Sequence, residues 1–344
     1  MAERLPIYDI EQQIVGGLRE SRRLIVSAPT GSGKSTQVPQ ILLDHDLLGA
    51  GQVVILQPRR LAARLLAARV AWERKVQLGH EVGYQIRFEN VTSADTRIRF
   101  VTEGLLLRQM VQDPKLREVA ALIFDEFHER HLYGDITLAR ALDLQETERP
   151  DLKLLVMSAT LDAAPLEQYL KPCRMLESRG RMYPVEIEFA ATPGYLDKRP
   201  IWDQAAEAFS DFVGSGGQGD VLIFMPGGFE IAQTIDALRR RDEARGFLLL
   251  PLHGELPPRE QDAAVARYDK RKVVIATNVA ETSLTIDGIR CVIDSGLARI
   301  PRYDPYRGIN TLLWRIHERR KCRRNKGIGN STGQPPARSL PSPA

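Results

Sequence analysis

The chain has 344 residues, of which 43% are hydrophobic and 27% are charged, a composition typical of a soluble globular protein and not of a disordered or fibrous one. This length predicts about two domains, and no stretch approaches the roughly 20 apolar residues that a membrane span needs. The first residues include acids and lack an apolar core, so we expect no secretory signal. The three cysteines, Cys173, Cys291 and Cys322, lie far apart and match no metal spacing. They are predicted to be free thiols in a reducing compartment, the cytoplasm.

The positive charge is concentrated near the C-terminus. Residues 315–344 hold eight Lys and Arg residues against one acid, a net charge of +7. Since the whole chain carries +4, residues 1–314 carry a net charge of −3. Bulk charge therefore does not predict nucleic-acid binding by the body of the chain, and such a function has to rest on individual residues.

Short apolar runs alternate with helical patterns as far as about residue 313. The predicted strands are Arg23–Ser27, Val53–Leu56, Arg97–Val101, Leu122–Phe124, Leu154–Met157, Val221–Phe224, Phe247–Leu250, Lys272–Ala276 and Cys291–Ile293. The predicted helices include Asp9–Glu20, Arg60–Glu73, Asp135–Gln145, Trp202–Val213 and Glu230–Arg241. This alternation predicts an α/β fold with mostly parallel sheets flanked by helices. Right-handed crossovers would bring the loops after the strands to one edge, where we expect phosphate chemistry.

Changes in the pattern divide the chain into three parts. A first strand–helix series covers residues 1–180, and a second covers residues 181–314. Together they predict two α/β domains with a cleft between them. Residues 315–344 form a basic, low-complexity tail with almost no apolar side chains, and we expect this tail to be disordered.

A glycine-rich segment follows the first predicted strand and opens a helix. It contains Gly-x-Gly-Lys-Ser, the centre of the phosphate-binding loop, although Ala28 stands where the strict pattern has Gly. Backbone N–H groups and a helix N-terminus would surround the β- and γ-phosphates. Lys34 would contact the phosphates and Ser35 would ligate Mg²⁺; an ordinary Gly-rich turn is the alternative. The predicted nucleotide-binding residues are Thr30, Gly31, Ser32, Gly33, Lys34, Ser35 and Thr36.

Two adjacent carboxylates, Asp125 and Glu126, follow the apolar run 120–124. A strand-end carboxylate beside the phosphate-binding loop can hold Mg²⁺ through water, which is the role predicted for Asp125. Glu126 is predicted to orient and deprotonate the attacking water. Alone, such an acidic pair would more often cap a helix, and it is the upstream loop that favours catalysis. His128 and His131 are three residues apart and lack the i, i+4 spacing of a helical zinc pair, so we reject a zinc site.

The ordered series APTGSGKST, QPRRLAAR, TEG, DEFH, SAT and VVIATNVAETSLTIDGI resembles the motifs of superfamily 2 DEAH-box helicases. The sequence DEFHER is most similar to the bacterial HrpB-type branch, and the resemblance covers residues 5–313. It implies two tandem RecA-like domains that hydrolyse ATP with Mg²⁺ in the cleft between them and bind single-stranded RNA or DNA across both. A P-loop small-molecule kinase is disfavoured, because it would leave the second domain unexplained.

The same resemblance assigns a coupling role to Ser158 and Thr160, with His128 as a catalytic relay of the nucleotide state. Ser and Thr hydroxyls after a buried strand can exchange hydrogen-bond partners at little cost. The alternative is a helix cap, with Thr160 or Asp162 starting the next helix.

The resemblance also implies contacts to the nucleotide beyond the phosphates. Asp287 would face the nucleotide from the second domain. Arg69 and Tyr268 are predicted to sandwich the base, because a guanidinium and a phenol ring stack on any purine. A solvated helix charge and a core aromatic are equally good interpretations of these two residues.

Polar residues at predicted strand ends suit contacts to phosphates and sugars, which position a strand without reading its sequence. These residues are Arg59, Thr102, Gly104, Thr277 and Asn278. Arg59 could instead be an ordinary surface charge. Residues 296–303 and 308–314 alternate about a turn and predict a β-hairpin, which in the resembling family separates or contacts strands.

The sequence departs from the family after Trp314. DEAH-box proteins carry Q-x-x-G-R-x-G-R there, with arginines that reach the γ-phosphate, and nothing in residues 315–344 matches it. Such an arginine contributes about 10³–10⁵ in rate, so we hypothesise that the chain binds ATP and hydrolyses it very slowly. The tail could reflect translation outside the family's reading frame, or a genuine basic segment that binds phosphates nonspecifically. A nucleotide-dependent single-strand clamp without unwinding activity is the alternative function.

Overall fold

The computed structural model describes residues 4–159, 164–180, 185–189, 197–280, 286–304, 309–316 and 336–339, with side chains as far as residue 299 apart from Val279. The chain divides into two compact units, Met1–Arg181 and Met182–Ala344. None of the helices in the described ranges combines the length and the apolar character that crossing a bilayer requires. Cys173 is a free thiol, Cys291 is buried, and Cys322 lies outside the described residues.

The first unit is an eight-stranded sheet flanked by helices. Its strands are β1 (Arg23–Ser27), β2 (Gln52–Gln57), β3 (Val82–Ile86), β4 (Glu89–Val91), β5 (Ile98–Thr102), β6 (Val119–Phe124), β7 (Lys153–Ser158) and β8 (Arg174–Glu177). Its α-helices are α1 (Glu11–Glu20), α2 (Lys34–Asp44), α3 (Arg60–Arg74), α4 (Glu103–Gln112), α5 (Leu132–Thr147) and α6 (Ala164–Leu170). The strand order is β4-β3-β5-β2-β6-β7-β1-β8, and all neighbours are parallel except β3 and β4.

Alternating side chains of the central strands pack into two hydrophobic cores, one on each face of this sheet. Leu24 and Val26 of β1 join the core that α1, α2 and α3 cover. Ile25, between them, joins the core that α4, α5 and α6 cover. The two-sided burial explains why these strands are apolar throughout, and it confirms the predicted parallel sheet flanked by helices.

The strand register brings five strand ends to one edge of the sheet. Gln57 pairs with Thr102 across β2 and β5, and Ser27 pairs with Ser158 across β1 and β7. β6, which ends at Phe124, lies between β2 and β7. The loops that carry the predicted phosphate and acidic motifs therefore start at the same edge of the sheet, from β1 and β6 on either side of β7, as the crossover rule predicts.

The second unit contains a six-stranded parallel sheet with the order β11-β12-β10-β13-β16-β9 and a separate two-stranded sheet. Its strands are β9 (Glu186–Phe189), β10 (Asp220–Phe224), β11 (Leu248–Leu252), β12 (Lys272–Ala276), β13 (Ile289–Asp294), β14 (Leu297–Asp304), β15 (Ile309–Ile316) and β16 (Pro336–Ser339). Its α-helices are α7 (Ile201–Gly214), α8 (Gly228–Arg239) and α9 (Pro258–Val265). Phe209 and Phe212 of α7 pack with Ile231 and Leu238 of α8 in its core.

The β-hairpin predicted after the last sheet strand is confirmed. β14 and β15 are antiparallel, and Asp304 pairs with Ile309 at the end of the ladder. The turn residues 305–308 lie outside the described residues. Within the basic tail, composition did not indicate the short strand β16, which pairs with β13 and β9.

Two adjacent glycines in α1 provide a matched test of local helix energetics. A Cβ atom on Gly16 would meet no heavy atom within 4 Å, whereas one on Gly17 would lie 3.1 Å from Leu24 Cδ1. Because alanine is favoured over glycine in a helix by about 0.5–1 kcal/mol, Gly16→Ala should raise the free energy of unfolding by that amount. Gly17→Ala should gain less, since Leu24 must move. Urea unfolding of the three chains measures both changes, and a Gly16→Ala chain no more stable than wild type would contradict this account.

Candidate active site

The loop between β1 and α2 has a backbone that requires glycine. Gly31 and Gly33 have φ angles of 82° and 91°, a region that side chains rarely enter. A Cβ atom on Gly33 would also lie 2.9 Å from Leu5 Cδ1. The N-terminal segment packs on this loop, since Ile7 N donates a hydrogen bond to Ser32 O at 3.1 Å. Conformation and close packing together fix the path of the loop.

The interior of the loop fits a phosphate group. Ser32 is buried, and its Oγ has no hydrogen-bond partner among the described residues. Helix α2 begins at Lys34 with no side-chain cap, which leaves amides of its first turn for an anion at the positive end of the helix dipole. Thr30, Ser35 and Thr36 are half-buried around the same loop. A buried hydroxyl without a partner, uncapped amides and a lysine are a donor set suited to a nucleoside triphosphate.

Lys34 and Glu126 form a buried ion pair. Lys34 Nζ lies 3.2 Å from Glu126 Oε1, and the two side chains are only 4% and 2% exposed. Burial alone would lower the pKa of Lys34, but Glu126 and Asp125 outweigh it and raise that pKa. Burial raises the pKa of Glu126 to about 7, against the opposing effect of Lys34 and with a further contribution from Asp125. Lys34 is therefore held charged, and Glu126 has a pKa suited to proton transfer near neutral pH.

Asp125 is oriented from two directions. Its Oδ2 accepts a hydrogen bond from Gln57 Nε2 at 2.6 Å, and its Oδ1 accepts one from Glu126 N at 2.9 Å. Glu126 itself adopts a left-handed backbone, with φ 51° and ψ 33°. Such strained conformations in non-glycine residues cluster at functional sites. The chain thus turns sharply at the end of β6 and directs two carboxylates to the edge where the phosphate loop begins.

The residues present also fit a magnesium ion. A carboxylate on Asp125 and a hydroxyl on Ser35 are the hard oxygen ligands that Mg²⁺ takes with substrate phosphates. When bound, the ion would neutralise charge on the phosphates. Within the described part of the chain, no group of three His, Cys, Asp or Glu residues forms a metal cluster of its own, so phosphate oxygens and water would have to complete the coordination.

His128 lies between Glu126 and the end of β7. Its Nε2 is 3.4 Å from Glu126 Oε2, and its Nδ1 accepts a hydrogen bond from Ala159 N at 3.4 Å. In a neutral ring the proton is then on Nε2, which faces the carboxylate. Ser158 is buried at the end of β7, and Thr160 lies outside the described residues. The structure thus brings His128 to the segment that contains Ser158.

The residues predicted to contact the base and the nucleotide from the second domain have local partners. Arg69 Nε donates to Glu73 Oε1 at 2.7 Å, and its guanidinium lies 4.9 Å from the ring centre of the exposed Trp72. In the second unit, Tyr268 is 43% exposed, so it is not a core aromatic. Asp287 accepts hydrogen bonds from the Arg267 guanidinium at 2.9 and 2.5 Å.

Arg59 belongs to a charged network at the carboxyl edge of the first sheet. Arg59 Nη2 lies 3.3 Å from Glu129 Oε2, and His131 Nε2 lies 3.7 Å from the same oxygen. His131 Nδ1 lies 3.5 Å from Glu103 Oε1 on α4. Arg59 is therefore tied to the turn that carries Glu126, since Glu129 N donates to Glu126 O at 3.0 Å.

The other residues predicted to contact nucleic acid lie at strand ends in both units. Thr102 is the last residue of β5 and Gly104 is exposed in the first turn of α4. Thr277 directly follows β12, and its N–H donates to Leu252 O at 3.1 Å. Asn278 is exposed and begins the 3-10 turn Asn278–Ala280. The strand-end positions match the sequence pattern, while their role in binding stays a prediction.

Both parts of the chain match helicase families. The DEAD/DEAH box helicase family matches residues 8–169, and the helicase conserved C-terminal domain matches residues 204–317. The chain is 41% identical over 311 residues to the Escherichia coli protein named ATP-dependent RNA helicase HrpB, covering 90% of this chain and 38% of that protein. The crystal structure of Escherichia coli DEAH/RHA helicase HrpB superposes with a TM-score of 0.89 at 38% identity, covering 98% of this chain and 43% of that chain. The chain belongs to the DEAH-box helicases.

Relatives of the DEAH-box family are longer than this chain. A Saccharomyces cerevisiae protein named "Probable ATP-dependent RNA helicase DHR2" is 36% identical over 324 residues, which are 91% of this chain and 44% of that protein. The chain thus spans less than half the length of these curated relatives. The fold, with two α/β units and mostly parallel sheets, is that of the family's helicase core.

Several residues of this DEAH-box site were not identified from the sequence. Gln57 contacts Asp125, and Glu129 contacts Arg59. Gln57 could have been found, because it is a polar residue at the end of an apolar strand and the first residue of the QPRRLAAR motif. The contact of Glu73 with Gln37 of α2, at 2.8 Å, had no sequence signal, since it joins two helices.

The His131 network predicts a pH-dependent contribution to stability. The hydrogen bond to Glu103 raises the pKa of His131, so the folded chain binds this proton more tightly than the unfolded chain. The stabilisation is then complete below the unfolded pKa, about 6.5, and is lost as pH rises through the folded pKa. For a pair this exposed we expect about 0.2–1 kcal/mol.

Urea unfolding at pH 5.5 and pH 9 measures this contribution. His131→Gln should destabilise the chain at pH 5.5 and have a smaller effect at pH 9. Glu103→Gln serves as the matched partner variant, and it should remove the same pH dependence. An equal loss of stability at both pH values in His131→Gln would contradict the assignment.

Proposed function

We propose that the chain is the ATP-dependent core of a DEAH-box helicase, which binds ATP with Mg²⁺ at the loop 28–36 and acts on single-stranded RNA or DNA. The observation that supports this most strongly is the convergence of Lys34, Glu126 and Asp125 beside a loop that holds the buried hydroxyl of Ser32, which has no partner among the described residues. The names of the relatives specify RNA, so RNA is the substrate we favour. The free thiol of Cys173 is consistent with the cytoplasm, where we place the protein.

In this proposal Lys34 contacts the β- and γ-phosphates, and Ser32 Oγ donates a hydrogen bond to a phosphate oxygen. Ser35 and Asp125 hold the metal ion. When a phosphate replaces Glu126 as the partner of Lys34, the Glu126 carboxylate is released and accepts a proton from the attacking water. His128 then senses the state of Glu126 through the contact at 3.4 Å and passes it to the segment at Ser158 through Ala159 N.

Arg69 supplies a planar cation for the base, with Tyr268 and Asp287 as the contributions of the second unit. Because stacking discriminates weakly among bases, we expect purine nucleotides to bind with similar affinities. On the nucleic-acid side, Arg59, Thr102 and the residues after β12 contact phosphates and sugars without reading bases.

We further propose that hydrolysis is slow. Residues 317–344, which follow β15 in the sequence, contain no Q-x-x-G-R-x-G-R segment. The arginines with which the family stabilises charge on the γ-phosphate are therefore missing from this segment. The nucleotide-dependent clamp is the second candidate, and the same missing segment favours it. Stimulated turnover with RNA supports the helicase core, whereas tight binding of both ligands without turnover supports the clamp.

Substitutions at the ion pair test the phosphate site. Lys34→Ala should reduce ATP affinity below detection, because it removes the central positive charge. Glu126→Gln should retain ATP binding, since it removes a negative charge near the phosphates, while hydrolysis falls at least 10²-fold, as expected for loss of a general base. Calorimetric titration with ATP and Mg²⁺ measures binding, and phosphate release measures turnover.

Lys115→Ala is the matched control for Lys34→Ala, because Lys115 is an exposed lysine paired with Glu148. It should leave both quantities unchanged. Unaltered ATP affinity in Lys34→Ala, or unaltered hydrolysis in Glu126→Gln, would contradict the proposed site.

The turnover hypothesis has its own test. Steady-state ATP hydrolysis, with and without single-stranded RNA, is compared between this chain and one extended with the Q-x-x-G-R-x-G-R segment of a relative. The extended chain should turn over about 10³-fold faster or more, the effect of a transition-state arginine. Equal rates in the two chains would contradict the hypothesis that hydrolysis is slowed by the missing arginines.

A further inference from the structure

Gln57 is a polar residue that is buried at a position where an apolar side chain would be expected. It is the last residue of β2, and its side chain is completely inaccessible to solvent. The two preceding residues of the strand, Ile55 and Leu56, belong to the two hydrophobic cores, one to each. An apolar side chain would bury at position 57 without any requirement for hydrogen bonds, so an amide there calls for a specific partner.

One half of the amide has that partner. Gln57 Nε2 donates to Asp125 Oδ2 at 2.6 Å, while Asp125 Oδ1 accepts from Glu126 N at 2.9 Å. With one donor on each oxygen, the plane of the Asp125 carboxylate is fixed. The remaining lone pairs of both oxygens are thereby directed before any ligand arrives.

The other half of the amide has none. Gln57 Oε1 is buried and makes no hydrogen bond within the described part of the chain. Buried side-chain acceptors are satisfied in the large majority of cases, and a donor that is not part of the protein would satisfy this one. Oε1 belongs to the same amide that holds Asp125, which places this unmet acceptor directly beside the predicted metal ligand.

We propose that Gln57 is the positioning residue for Asp125: its Nε2 orients the carboxylate, and its Oε1 accepts a hydrogen bond from a water molecule of the hydrated Mg²⁺ ion. This inference rests on the proposed function. An uncharged group with one donor and one acceptor is required, since a carboxylate would repel Asp125 and an aliphatic side chain would contact neither partner. Outer-shell groups of this kind contribute about 10–100-fold in metal affinity.

The test measures metal binding and not turnover. ATP affinity of the full-length chain is determined by calorimetry over a range of Mg²⁺ concentrations, and Mn²⁺ binding to the ATP complex is followed by electron paramagnetic resonance. Two variants are compared with wild type: Gln57→Met, which keeps the length of the side chain, and Gln57→Leu. Each should weaken the binding of the metal ion to the ATP complex about 10–100-fold. Affinity for ATP without metal should stay within about twofold of wild type in both variants.

Gln204→Leu is the matched control. Gln204 is a buried glutamine of α7 whose Nε2 donates to Arg199 O at 2.8 Å, and it lies in the second unit. It should leave the Mg²⁺ dependence unchanged. If Gln57 has a purely structural role, its variants and Gln204→Leu should all lower the thermal stability, while the Mg²⁺ dependence and the Mn²⁺ spectrum stay as in wild type. That result would overturn the inference.

The proposed function and the role of Gln57 can be told apart by experiment. If the wild-type chain binds no ATP, the proposed function is wrong and this inference falls with it. If the wild-type chain binds ATP in a Mg²⁺-dependent way and Gln57→Met has the same dependence, the role of Gln57 is wrong while the proposed function stands.

Discussion

The buried pairing of Lys34 with Glu126 is the interaction on which the rest of the site depends. Moving charged groups out of water is costly, and an ion pair recovers that cost only with close contacts and further hydrogen bonds. Here one lysine neighbours two carboxylates, Glu126 and Asp125, and burial raises the pKa of Glu126 to about 7. Stability alone does not explain such a cluster, because apolar residues would fill the space at lower cost. A triphosphate that replaces Glu126 as the anionic partner of Lys34 would give the arrangement a function.

The sheet makes this cluster possible. Lys34, Gln57 and Asp125 are far apart in sequence, yet each follows or ends a strand of the same parallel sheet. Parallel strands joined by right-handed crossovers carry their C-terminal ends to one edge. Two hydrophobic cores hold the sheet from opposite faces, so the edge residues are fixed relative to one another by packing that takes no part in chemistry. At the cluster itself, left-handed backbone conformations occur in the loops, among them those of Gly31, Gly33 and Glu126.

Much of this could be predicted from the sequence, because the signals are local. The strand Arg23–Ser27 and the strand Lys272–Ala276 have the predicted bounds, since each is a short apolar run between polar residues. The hairpin of β14 and β15 follows from its alternation about a turn. The contacts of Asp125 with Gln57 and of Arg59 with Glu129 could not be derived in this way, because they depend on strand order and register. Short elements such as β4 and β8, at the two edges of the first sheet, also escape pattern analysis, since a few half-exposed residues carry little periodicity.

The most direct test of the central claim is a crystal structure of the chain with a non-hydrolysable ATP analogue and Mn²⁺, whose anomalous signal locates the ion. We expect the phosphates within hydrogen-bond distance of Ser32 Oγ and Lys34 Nζ, Glu126 no longer paired with Lys34, and the ion beside Ser35 and Asp125. A nucleotide bound elsewhere, or phosphates present while Lys34 stays paired with Glu126, would contradict the account.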